Sequence, residues 1–169
     1  MTTMLASISY LLIFSILIAL AWRDLKDYLL PDILTTSLML VYLSFHIATD
    51  WLYLTPLNAL VGAALGGGML FAIRALANRF YEEDALGLGD VKLMAAAGFG
   101  LGHPDILLAL MIGAAGGLLQ GLYLAYAICR EKGETPPLGE INVPAGLGLT
   151  FGCAAVTLHK FGLIWLGIS

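Results

Sequence analysis

The sequence predicts an all-α membrane protein, a bundle of about six transmembrane helices in a single domain covering residues 1–169. Three observations carry that prediction. Apolar residues make up 60% of the chain and charged residues 12%, about half the charged share of an ordinary soluble domain. Mean hydropathy is +0.90, and a soluble protein this small has too little interior to hide that much apolar surface. The apolar residues also come in long uncharged runs with the few charges gathered between them. The same composition excludes disorder, which needs low hydrophobicity.

A spanning helix needs about 20 mostly apolar residues. Met4–Trp22 is the first such run. Ala19-Leu20-Ala21 mimics a signal-peptide cleavage site, but residues 1–7 hold no Lys or Arg, so a retained spanning helix is expected. Ile33–Thr49 is the second run, introduced by Pro31-Asp32, a pair suited to a helix start. Trp51–Ile73 is the third. Val91–His103 is the fourth, short and opening at Gly87-Leu88-Gly89-Asp90, with Lys92 near its start. Ile106–Cys129 and Ile141–Leu158 complete the set. The tail Phe161–Ile168 is too short to span and is expected at the interface.

Glycines at 62, 66, 67 and 68, and again at 113, 116, 117 and 121, have the small-residue spacing of closely packed helices. Cys129 and Cys153 lack CxxC spacing and read as small buried hydrophobes. Trp22 and Tyr28 suit one aromatic belt, Trp51 and Tyr53 the other.

Orientation follows from Lys and Arg. With the N-terminus outside and six alternating segments, Arg23, Lys26, Arg74, Arg79, Lys92, Arg130 and Lys132 fall on one side, and only Lys160 on the other. The first side is therefore expected to be cytoplasmic. Each inner loop nonetheless holds one more acid than base, giving an anionic cytoplasmic face. Net charge is −4, which offers no basic surface for nucleic acid.

Few residues are available for chemistry. There is no HExxH, and His46, His103 and His159 are far apart in sequence, which disfavours a zinc site. No GxSxG, GxxxxGK[ST] or GxGxxG occurs. Carboxylates remain. Asp24 follows directly on the first span and Asp90 heads the fourth, at the same face and similar depth. An ionisable residue at a span edge is a functional hypothesis by default. Two carboxyls brought together share one proton, because like charges at short range do not both ionise. The ionised member then deprotonates a water, and the protonated member donates to the substrate carbonyl. Such a pair hydrolyses a peptide bond without metal or cofactor.

Each residue alone has a plainer reading: Asp90 as the N-cap of its helix, Asp24 as an interfacial charge paired with Arg23 or Lys26, Asp27 and Asp32 as solvated loop charges, and Lys92 as a boundary residue reaching for water. Gly87 and Gly89 lack Cβ atoms and allow close approach of a substrate or partner helix.

Together, Asp24 seven residues before Pro31-Asp32, and Gly87-Leu88-Gly89-Asp90-Val91-Lys92 running into a Gly-rich apolar helix, resemble the type IV prepilin peptidase family of GxGD-type intramembrane aspartyl proteases. A weaker echo is Val143-Pro144-Ala145-Gly146 before the last span. The resemblance implies a multi-pass enzyme of the bacterial inner membrane with its active site at the cytoplasmic face. It implies Asp24 and Asp90 as catalytic, and Gly87, Gly89 and Lys92 as motif residues. It implies removal of the short basic leader from prepilins or pseudopilins, with no cofactor and no metal. Longer members carry a cysteine-motif segment and also methylate the new N-terminus. These 169 residues hold no counterpart, so a short-form peptidase is expected. Glu82, Glu83 and Asp84, close to Asp90, are candidates for attracting the leader. The alternative function is a small transporter or channel using the same carboxylates for ion or proton passage.

Overall fold

The computed structural model describes residues 2–27, 29–81, 87–132 and 145–162, and every regular element among them is helical. In chain order these are α1 (Thr2–Asp27), α2 (Asp32–Ala48), α3 (Pro56–Tyr81), α4 (Leu88–Leu101), α5 (Asp105–Lys132) and α6 (Ala145–Thr157), the last continued by one π-helical turn, Leu158–Gly162. Three segments, Met4–Asp27, Pro56–Arg79 and Asp105–Arg130, are long and apolar enough to cross a membrane by length and composition. α4 has only 14 residues, about 21 Å of helix against a hydrocarbon layer of about 30 Å.

Local chemistry sets the helix ends. Pro31, in extended conformation, is the N-cap of α2, and Asp32 follows in the first turn, where a negative charge suits the helix dipole. The third helix begins at Pro56 rather than Trp51. Asp50 and Trp51 have φ of 50° and 56°, so the chain turns there. Thr55 Oγ1 then accepts the Asn58 N–H at 3.3 Å, and Pro56 takes the first helical position. α3 also runs past Ile73, carrying Arg74 and Arg79 in its last turns. α4 stops at Leu101 because Gly102 adopts φ 72°, a conformation glycine tolerates, and its N–H returns to the Gly98 carbonyl at 2.8 Å.

The core follows helical periodicity. On α1, Ile13, Leu17, Leu20 and Asp24 are all buried, at the 4-3-4 spacing of one helix face. α4 is buried on nearly every side, packed on α3, α2 and α6. Outward, the long helices present large apolar side chains such as Leu11, Ile18, Leu57, Met111, Leu118 and Leu122, as a lipid-facing surface requires. Glycine brings backbones together as expected. A Cβ on Gly62 would strike the Gly98 carbonyl and one on Gly98 the Gly62 carbonyl, while Gly113 meets Gly148 and Leu149 of α6. Gly68 is different, since nothing lies within 4 Å of where its Cβ would be.

Call the end that holds Asp24 and Asp90 the near end. At the far end an aromatic cluster replaces the expected belt. His46 is fully buried and its Nε2 donates to the Gly100 carbonyl at 2.9 Å. Trp51 stacks on His46, and Tyr53 stacks on Phe45. Both are half-buried against the core rather than facing lipid. Phe161, expected at the interface, is 1% exposed, held edge-on by Phe45 and Tyr53. Residues 163–169 and Tyr28 lie outside the described residues. Lys160 donates to both the Leu101 carbonyl and Asp105, each at 2.6 Å. It therefore caps the far end of α4. Cys153 is buried as expected, whereas Cys129 is only half-buried.

Candidate active site

Asp24 is the last member of the inward stripe of α1, so the periodicity that buries Leu17 and Leu20 also turns this carboxylate into the bundle. It is 4% exposed. It does not pair with Arg23, which bonds Asp27 one turn on at 2.8 Å. Its partner is the start of α6. The Leu147 N–H donates to Asp24 Oδ2 at 2.7 Å, and Gly146 packs directly against the carboxylate. Gly146 leaves room for this: a Cβ there would lie 2.8 Å from Asp24 Cγ and within 3.0 Å of both oxygens.

Asp90 sits in the first turn of α4 and is 6% exposed. It is not the N-cap. Gly87 takes that position, with no side-chain cap. Asp90 Oδ2 faces Gly87, 3.4 Å from where its Cβ would be. Asp90 Oδ1 is buried and accepts no hydrogen bond from any described residue.

Asp24 and Asp90 line one cavity of about 240 Å³ together with Leu29, Leu30, Asp32, Gly87, Leu88 and Gly89, room for several waters. The charge on Asp24 acts on the Asp90 carboxyl. Gly89 is where the link between α1 and α2 crosses α4: a Cβ would lie 2.7 Å from Leu30 Cβ. The close approach expected for substrate at this glycine is thus taken up by the chain itself. Lys92 reaches across to Asp32 at 2.6 Å, tying the start of α4 to the start of α2 beside the cavity. Among the described residues no group of three His, Cys, Asp or Glu is placed to hold a metal ion.

The structure thus brings together Asp24, Asp90, Gly87 and Gly89, and puts Lys92 on Asp32. Glu82, Glu83 and Asp84 lie outside the described residues. Three contributors escaped sequence reasoning. Asp32 reads as a solvated charge because its side chain is indeed 70% exposed. Gly146 and Leu147 act through backbone, which leaves almost no side-chain signature. The only hint was the weak Pro144-Ala145-Gly146 echo.

Fold and site define a multi-pass helical membrane protein with two buried carboxylates on one cavity. The sequence model of the type IV leader peptidase family matches residues 11–122, and the chain belongs to that family. A prepilin leader peptidase/N-methyltransferase of Xanthomonas campestris pv. campestris is 34% identical over 130 residues, 77% of this chain and 45% of the relative. One of Dickeya chrysanthemi is 37% identical over 114 residues, 68% of this chain and 40% of the relative. One of Escherichia coli K12 is 33% identical over 107 residues, 63% and 47%. The chain therefore spans about half the length of the curated relatives it matches. No solved structure matches it.

Proposed function

We propose that this chain is an intramembrane aspartic endopeptidase that removes the short basic leader of type IV prepilins or pseudopilins. The observation that carries this is the single cavity shared by Asp24 and Asp90, two buried carboxylates delivered by separate helices. Family membership supplies the substrate class. The placement of seven of eight basic residues on one side supports an active site at the cytoplasmic face of the bacterial inner membrane, with the N-terminus outside.

In the reaction a water lies between the carboxyls. The ionised carboxylate takes its proton as the oxygen attacks the scissile carbonyl carbon. The protonated partner gives its proton to the carbonyl oxygen, forming a neutral gem-diol. One carboxyl then protonates the amide nitrogen while the other recovers a proton from the diol. The C–N bond breaks and the pair returns to its starting state. Burial strengthens each of these contacts by excluding bulk water. Lys92 and Asp32 fix the spacing of the helix starts that carry the pair. Glu82, Glu83 and Asp84 attract the basic leader.

Single Asp24→Asn and Asp90→Asn variants test the reading in membranes. Each is expected to lose cleavage of a basic-leader prepilin by at least about 10²-fold, the usual weight of an acid–base group, with the protein still inserted. Normal cleavage by either variant would remove that residue from the pair.

A further inference from the structure

The two carboxyls are held unequally, and the inequality lies in what each one touches. α6, Ala145–Thr157, carries no Asp, Glu, Lys, Arg or His, so what its first turn offers Asp24 is backbone. Leu147 is the third residue of α6, and its N–H is among the first four, which have no partner within the helix. That N–H is spent on Asp24 Oδ2 at 2.7 Å, with Gly146 packed against the same carboxylate. This donor sits at the positive end of a helix. Hydrogen bonds of this kind favour the ionised form of a carboxyl. Asp90 has the opposite setting: Oδ1 is buried with no donor among the described residues.

The neighbouring charges do not even this out. On α1, Arg23 is engaged with Asp27, and Lys26 is exposed. From α2 and α4, Asp32 and Lys92 are engaged with each other. From α3, which packs on α4, Arg74 and Arg79 stand in the last turns, and among the described residues the charge that acts on Asp90 is that of Asp24.

We propose that the first turn of α6 sets the division of labour within the pair. Its Leu147 amide holds Asp24 as the ionised carboxylate that deprotonates the attacking water. Asp90 carries the shared proton and donates it to the substrate carbonyl. Gly146 and Leu147 are then positioning residues, acting through Asp24. This rests on the peptidase reading above, but it is tested separately.

The first measurement needs no substrate. Infrared spectra of protein carrying carboxyl-labelled aspartate, in lipid nanodiscs at the pH of maximal wild-type cleavage, report whether a protonated carboxyl is present. The wild type and Asp24→Asn are expected to show its carbonyl band, and Asp90→Asn to lack it. A band that persists in Asp90→Asn, or is missing from Asp24→Asn, overturns the assignment even if both variants are inactive.

The second measurement is the pH–rate profile. Leu147→Pro deletes one N–H in the first helical turn, where no helix bond depends on it. Gly146→Ala places a methyl against the carboxylate. Each is expected to lower kcat about tenfold with KM unchanged. Leu147→Pro also moves the acid limb to higher pH by about one unit, the weight of one charge-assisted hydrogen bond. An unmoved acid limb in Leu147→Pro protein that inserts and binds substrate normally would assign α6 a merely structural role.

Discussion

At the scale of the residue, the site shows how differently side chains and backbone announce themselves. Asp24 and Asp90 were legible because a carboxylate in an apolar run is conspicuous and because both fall on buried helix faces. Asp32 was not, since an exposed acid beside a proline looks like any loop charge until Lys92 is found 2.6 Å away. Exposed ion pairs contribute only about 0–1 kcal/mol, so this one matters for placement more than for stability. Asp32→Ala and Lys92→Ala are each expected to slow cleavage by about 3- to 10-fold while changing thermal unfolding little. The double variant should be no slower than the worse single one, because both remove the same tie. Multiplicative losses in that cycle would mean the two residues act separately.

Among the elements, α4 depends most on glycine. Its contact with α3 is a backbone crossing at Gly62 and Gly98, and any side chain at either position meets the opposing carbonyl. Overpacking of this kind costs about 1–3 kcal/mol. Gly98→Ala should therefore lower the midpoint of thermal unfolding in detergent measurably, whereas Gly68→Ala, with open space around it, should not. Equal effects from both would show that the crossing is not a tight spot. The small-residue spacing in the sequence identified the helices that pack closely, but not which glycines face inward. That depends on the rotation of each helix, which the nearly uniform apolar composition of α3 does not encode. The helix boundaries missed at Trp51 and Ile73 have a similar origin, because hydropathy continues where the backbone has already turned or where a basic residue extends a helix.

At the scale of the whole molecule, the scarcity of charge is what made the fold readable. Helix number and order followed from the uncharged runs, and their alternation put Asp24 and Asp90 at one end. The far-end aromatic cluster did not follow, because an aromatic ring at a span edge suits either lipid or a core. The anionic face expected from the sequence draws on all three inner loops, each with one acid in excess. Reversing the charges at Glu82, Glu83 and Asp84 together should raise KM for a basic-leader substrate several-fold at low ionic strength. The effect should shrink as salt screens it, and kcat should hold. An unchanged KM at low salt would remove the triplet from leader attraction.

The clamp at Lys160 has a mechanical consequence. With its far end held by Lys160 and capped at Gly102, and its near end steadied by the Lys92–Asp32 pair, α4 is a lever whose tip carries Asp90. From Leu101 to Asp90 the lever is about 17 Å long, so a tilt of about 3° displaces that carboxyl by about 1 Å. A shift of that size is enough to cost about 10²-fold in rate. The accuracy of the pair is therefore set partly by an anchor at the opposite end of the molecule.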